Sequence, residues 1–142
     1  MAKVEASFIV NRPVEDVWKF VADPSNIPKW NPQILEVKQT SEGPLGVGTT
    51  LLARSTRMPL DIRIIKYEPN HKFAFEGTSG PIKGTTNSFS LESIEGKTRL
   101  TRTVDIRLSG LYKLVGPIAT RRAKKEVGAS AANLKSLLEP KS

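Results

Sequence analysis

The sequence predicts an α+β protein in which a curved antiparallel sheet of about seven strands wraps around one long C-terminal helix. Three observations carry this. Residues 110–139 are the only stretch long and periodic enough for an extended helix. Gln33 to Leu108 shows no helical period but about six strand-like runs separated by Gly and Pro signals. Those runs are polar on one side only, as expected of a single sheet with one wet face.

Taken in order, residues 3–10 alternate as the first strand, with Val4, Ala6, Phe8 and Val10 on one face. The strand stops at Asn11-Arg12-Pro13. Pro13 suits the start of a helix, Glu15 and Asp16 complement its positive end, and Val14, Val17, Trp18 and Val21 recur at helical spacing. Asp23-Pro24 closes this helix and caps a second short turn through Ser25, Asn26 and Ile27, before Pro28 and Asn31-Pro32 force extended geometry. Two short helices therefore follow strand 1.

Breaks then fall at Gly43–Gly48, Pro69-Asn70-His71, Ser79-Gly80-Pro81 and the hairpin tip Glu95-Gly96, close enough together to join neighbours antiparallel. In the last strand Leu100, Val104, Ile106 and Leu108 oppose Thr101, Thr103, Asp105 and Arg107. In the long helix Ala123, Val127, Ala131, Leu134 and Leu138 form a dry stripe opposite Arg121, Lys125 and Lys135. The earlier stripe of Leu111, Leu114, Val115 and Ile118 is out of register with it, predicting a lead-in turn and a kink or restart near Gly116-Pro117. Pro140 to Ser142 reads as a frayed tail. A helix about 10 to 12 Å across cannot cover about seven strands spaced about 4.8 Å apart, so part of the concave face is left to a cavity.

Composition narrows the chemistry. The 142 residues read as one domain, 1–142, long enough to bury about 70% of the unfolded surface. The absence of cysteine removes disulfides, thiolate nucleophiles and zinc-thiolate sites, and a single histidine removes two-histidine metal clusters, so no cofactor is expected. Met1 to Val4 runs into a strand without an apolar leader, and no stretch is long enough to span a bilayer, which makes the cytoplasm the expected compartment. The 22 basic against 14 acidic residues give +8, densest at Arg121-Arg122-Ala123-Lys124-Lys125. That cluster reads either as the solvated face of the helix or as a patch for nucleic acid or a membrane surface. The lack of aromatics from Arg121 to Ser142 argues against nucleic acid.

The run Asn11 to Pro24, followed by Ile27-Pro28-Lys29-Trp30-Asn31-Pro32, resembles the opening of the START-related, Bet v 1-like helix-grip superfamily (SRPBCC), in its polyketide cyclase/dehydrase-like branch. The resemblance continues through Gly46-Val47-Gly48-Thr49, Tyr67-Glu68-Pro69, the turn region from Gly77 to Gly84, Thr98 to Thr101 and Leu134 to Glu139. Relatives of the chaperone-ATPase activators usually carry a double tryptophan and Gly-Pro where this chain has Lys29 to Pro32. The quinone-binding and ribosome-associated branch usually carries Tyr-Pro before its tryptophan, which is absent here. The resemblance implies a helix-grip fold with a hydrophobic pocket for a lipid, polyketide or isoprenoid-like molecule. It does not imply catalysis.

Arg102 is the first candidate, because by phase it lies among Leu100, Val104 and Ile106 on the concave face with no carboxylate of the strands beside it. It either reaches the cavity mouth and water, or meets an anionic or carbonyl group of a ligand. Asn87 shares the inward phase with Phe89 and Leu91; it can offer a directional hydrogen bond or serve backbone at a bulge. Phe73, Phe75, Phe89, Leu60 and Ile62 are the expected apolar lining, and equally ordinary core. Trp30 is a lid residue or a staple. Tyr67 and Tyr112 are the only phenols, either one a potential donor or acid, and His71 falls in a solvated turn.

Three functions follow as expectations. The first is binding or carriage of a small hydrophobic ligand. The second is a polyketide cyclase or dehydratase working in the same cavity without metal or covalent nucleophile. The third is a basic adaptor acting through residues 121–125.

Overall fold

The computed structural model describes residues 2–31, 33–56, 58–80, 83–107 and 116–138. Strand β1 (Ala2–Val10) leads into helix α1 (Val14–Val21), a 3-10 turn over Pro24–Asn26 and helix α2 (Ile27–Trp30). Strands β2 (Ile34–Gln39), β3 (Thr50–Ser55), β4 (Pro59–Glu68), β5 (Lys72–Gly77), β6 (Thr86–Ile94) and β7 (Lys97–Ile106) follow, and helix α3 (Gly116–Leu138) comes last. The strands make one antiparallel sheet in the order β1-β7-β6-β5-β4-β3-β2. It is a meander from β2 to β7 to which β1 returns at the far edge. This is the curved sheet around a C-terminal helix, with two short helices after strand 1, that the sequence predicts.

Local chemistry accounts for the short elements. Pro13 takes the extended N-cap position of α1, Glu15 and Asp16 occupy the first turn, and Val17, Trp18 and Val21 are buried. The Asp23 carboxylate caps the next turn, accepting from the Ser25 backbone N–H at 3.0 Å and the Ser25 hydroxyl at 2.7 Å.

Between β6 and β7 the two turn residues both adopt positive φ, 49° at Glu95 and 81° at Gly96. This backbone twist matches that of the flanking strands, and glycine adopts it without a Cβ clash. Gly96→Ala is expected to lower stability by about 1 kcal/mol, read as a reduced urea midpoint with an unchanged slope.

Two irregularities set side-chain phase. The β2–β3 register shifts between Ile34 and Glu36, leaving Leu35 exposed. The β4–β5 register shifts between Ile64 and Lys66, so that Tyr67 pairs with Phe73 and joins the inward set of Ile62 and Ile64.

Helix α3 lies chiefly along β1, at the edge of the sheet. Val127 packs against Val4 and Val104, while Leu134 and Leu138 join the main core with Trp30, Phe73 and Phe89. Ala123 and Ala131 are half-buried and Arg121, Lys125 and Lys135 exposed, which is the helix phase expected from the sequence. The expected lead-in turn, Leu108, Leu111, Tyr112 and the tail from Pro140 lie outside the described residues.

Candidate functional site

Arg102 points inward from the middle of β7, between Ala6 of β1 and Phe89 of β6. The small Ala6 side chain leaves lateral room for a guanidinium, and Arg102 is only 4% exposed. It does not reach a water-filled mouth.

The expectation that Arg102 lacks a carboxylate is corrected by α3. Arg102 Nη1 donates to both carboxylate oxygens of Glu126 at 3.2 Å, and Nη2 donates to Asn87 Oδ1 at 2.9 Å. The Ser130 hydroxyl donates to Glu126 Oε1 at 2.9 Å. The guanidinium also lies 4.9 Å from the centre of the Trp30 ring and 5.8 Å from that of Phe89. Burial pushes the Arg102 pKa below its ordinary value, opposed by the charge of Glu126 and by its hydrogen bond.

Glu126 and Ser130 are the residues that sequence reasoning missed. Glu126 reads as part of the basic run from Arg121, but it immediately precedes the buried Val127 and stands one helical turn before Ser130. Both therefore flank or occupy the dry stripe, and the pairing crosses from helix to sheet, where strand periodicity gives no signal.

Two donors in this cluster have no protein partner among the described residues. Arg102 Nε–H and Trp30 Nε1–H are both buried without an acceptor among the described residues. Trp30 itself is 1% exposed, so it is no surface lid. Its carbonyl accepts from Asn133 Nδ2 at 3.2 Å, tying α2 to α3, and its ring meets Phe89 edge-on at 5.6 Å.

The other predicted residues separate into those near this cluster and those beyond it. Asn87 is half-buried and bonded to Arg102, and Phe89 is fully buried beneath the guanidinium. Phe73 stacks on Phe89 and touches Phe75, extending an aromatic wall. Ile62 is buried further along this face, and Leu60 is half-buried near the start of β4. Tyr67 is half-buried and meets Trp18 edge-on at 5.3 Å, away from Arg102 in the ring chain. His71 is exposed in its turn. A cleft of about 130 Å³ opens elsewhere, between the 3-10 turn and β2–β3, lined by Asp23, Pro24, Ser25, Val37, Gln39, Leu45 and Leu51. It is smaller than the roughly 300 Å³ at which ligand pockets begin.

The cluster can donate to an oxygen through the buried N–H groups of Arg102 and Trp30, and Glu126 offsets part of the cost of burying the Arg102 charge. In this arrangement Glu126 Oε1 accepts from Arg102 and Ser130, and Oε2 accepts from Arg102.

A family described as "Polyketide cyclase / dehydrase and lipid transport" matches residues 1–139. Uncharacterized proteins of Mycobacterium bovis and Mycobacterium tuberculosis are each 30% identical over 100 residues, 68% of this chain and 60% of theirs. The matched region thus spans about 60% of the length of these curated relatives. A START superfamily protein from Mycobacterium smegmatis shares the fold with a TM-score of 0.77 at 18% identity, covering 96% of each chain. The di-domain ARO/CYC protein BexL does so with a TM-score of 0.73 at 16% identity, covering 99% of this chain and 48% of that one. No helix among the described residues is long and apolar enough to cross a membrane.

Proposed function

Since the chain belongs to the polyketide cyclase / dehydrase and lipid transport family, we propose that it binds a small hydrophobic molecule bearing a carbonyl or carboxylate oxygen, held between the sheet and α3. The observation that carries this reading is the pair of buried, unpartnered N–H donors at Arg102 and Trp30, set in a wall of aromatic rings. Each such donor costs about 1–3 kcal/mol while unsatisfied, and an oxygen arriving with an apolar body relieves that cost as it buries its own surface. A lipid, a polyketide or an isoprenoid acid fits this description.

Phe73, Phe89 and Trp30 pack on one another, so seating a ligand requires α2 and α3, joined through Asn133, to shift away from the sheet. Carriage needs only the apolar wall and the two donors, whereas cyclase or dehydratase chemistry would also need Glu126 to be released from Arg102 as α3 shifts. A proton-transfer reaction needs a free base within hydrogen-bond reach of the reacting carbon. In the cyclase reading, the same two donors stabilise a developing enolate.

Titration of the purified protein with myristate and with tetradecylamine, followed by native mass spectrometry, tests the proposal. The acid is expected to bind one to one and at least about tenfold more tightly than the amine, which has the same tail but presents a cation to Arg102. Equal affinity, or saturable binding of neither, overturns it.

A further inference from the structure

Arg121, Arg122, Lys124 and Lys125 are all exposed on α3. Among the described residues none of the four forms an ion pair. Glu126 is the sole carboxylate between Gly116 and Leu138, and it is turned inward and held by Arg102. The structural pairing thus removes the one negative charge that would offset the cations and leaves the outer face of the helix positive. Ile118, 57% exposed, precedes Arg121 by three residues and Lys125 by seven, and so stands on that same face. An exposed aliphatic side chain gains nothing from water or from a phosphate backbone.

We propose that this face of α3 docks on an anionic lipid bilayer, with Arg121, Arg122 and Lys125 over the head groups, Lys124 at their flank and Ile118 entering the acyl boundary. Charge complementarity supplies long-range attraction, and the single apolar side chain selects a bilayer over other polyanions. A single-stranded nucleic-acid site stacks bases on aromatic platforms, and α3 contains none. The docking needs no ligand in the concave face, so it stands or falls independently of the function proposed above.

Sedimentation with vesicles of phosphatidylcholine, and of phosphatidylcholine mixed with phosphatidylglycerol, tests it on the intact chain. Binding is expected to the mixed vesicles at low salt, with little to the neutral ones, and is expected to fall steeply as salt rises. The double variant Arg121→Gln/Lys125→Gln is expected to weaken binding about thirtyfold, and Ile118→Ser to weaken it at any given salt concentration. All three positions are exposed, and an unchanged circular dichroism melt checks that each variant is folded. The proposal is overturned by equal binding to both vesicle types, by none to the mixed vesicles at low salt, by binding that survives the double variant, or by tighter binding to a duplex oligonucleotide.

Discussion

Arg102→Leu is expected to destabilise the protein by about 3 kcal/mol or somewhat more, and adding Glu126→Leu is expected to recover most of that loss. Removing the guanidinium strands the Glu126 carboxylate, whose side chain is only 16% exposed, with Ser130 as its remaining donor. It also leaves Asn87 Oδ1 without its partner. The residual exposure of Glu126 keeps the loss toward the low end of what breaking a buried pair costs. The double variant replaces a desolvated ion pair by apolar groups and strands no charge. Urea unfolding of wild type, both single variants and the double gives the coupling energy directly. The sequence alone suggests the opposite for Arg102→Leu, preserved or raised stability, because it shows no partner. A neutral single variant would therefore mean that the Arg102–Glu126 contact contributes nothing in solution.

Val127→Asp is expected to abolish cooperative folding. Val127 is 1% exposed and packed against Val4 and Val104, where α3 rests on β1 and β7. A carboxylate there loses its hydration without gaining a designed partner, and it removes the contact that holds the helix to the sheet edge. The cost is expected to exceed about 4 kcal/mol, a large part of the roughly 5–15 kcal/mol that stabilises a domain. Circular dichroism melts read the result as loss of a sharp transition. A variant that melts cooperatively near the wild-type temperature would place Val127 on the wet side of α3.

The fold was legible because its signals are local. Val14, Val17, Trp18 and Val21 specify α1 by spacing alone, and Leu100, Arg102 and Val104 alternate along a strand with no bulge, so their inward phase could be read directly. The same rule fails on β4. Strict alternation from Leu60 puts Lys66 inward and Tyr67 outward, and the register shift after Ile64 reverses them. A bulge is a property of the strand pair, which one strand's sequence does not carry.

The site was half legible for a related reason. Arg102, Asn87, Phe89 and Trp30 could be named separately from phase and type, but their meeting point depends on how α2 and α3 cross the sheet. Glu126 lies 24 residues from Arg102, in a different element and inside a basic run, so no periodicity links the two. The expected open cavity depends on whether Phe73, Phe89 and Trp30 interlock, which side-chain packing decides and which spacing does not.

The indole N–H resonance of Trp30 during a myristate titration reports directly whether Trp30 and Arg102 anchor a ligand. The chain has two tryptophans, so a Trp18→Phe variant assigns the two signals. The Trp30 N–H, without an acceptor among the described residues, is expected to move downfield as it donates to the ligand oxygen, with saturation at one equivalent and a much smaller change at Trp18. A myristate complex that forms while the Trp30 signal stays in place would show that the ligand sits elsewhere, and would contradict the assignment of Arg102 and Trp30 as its anchor.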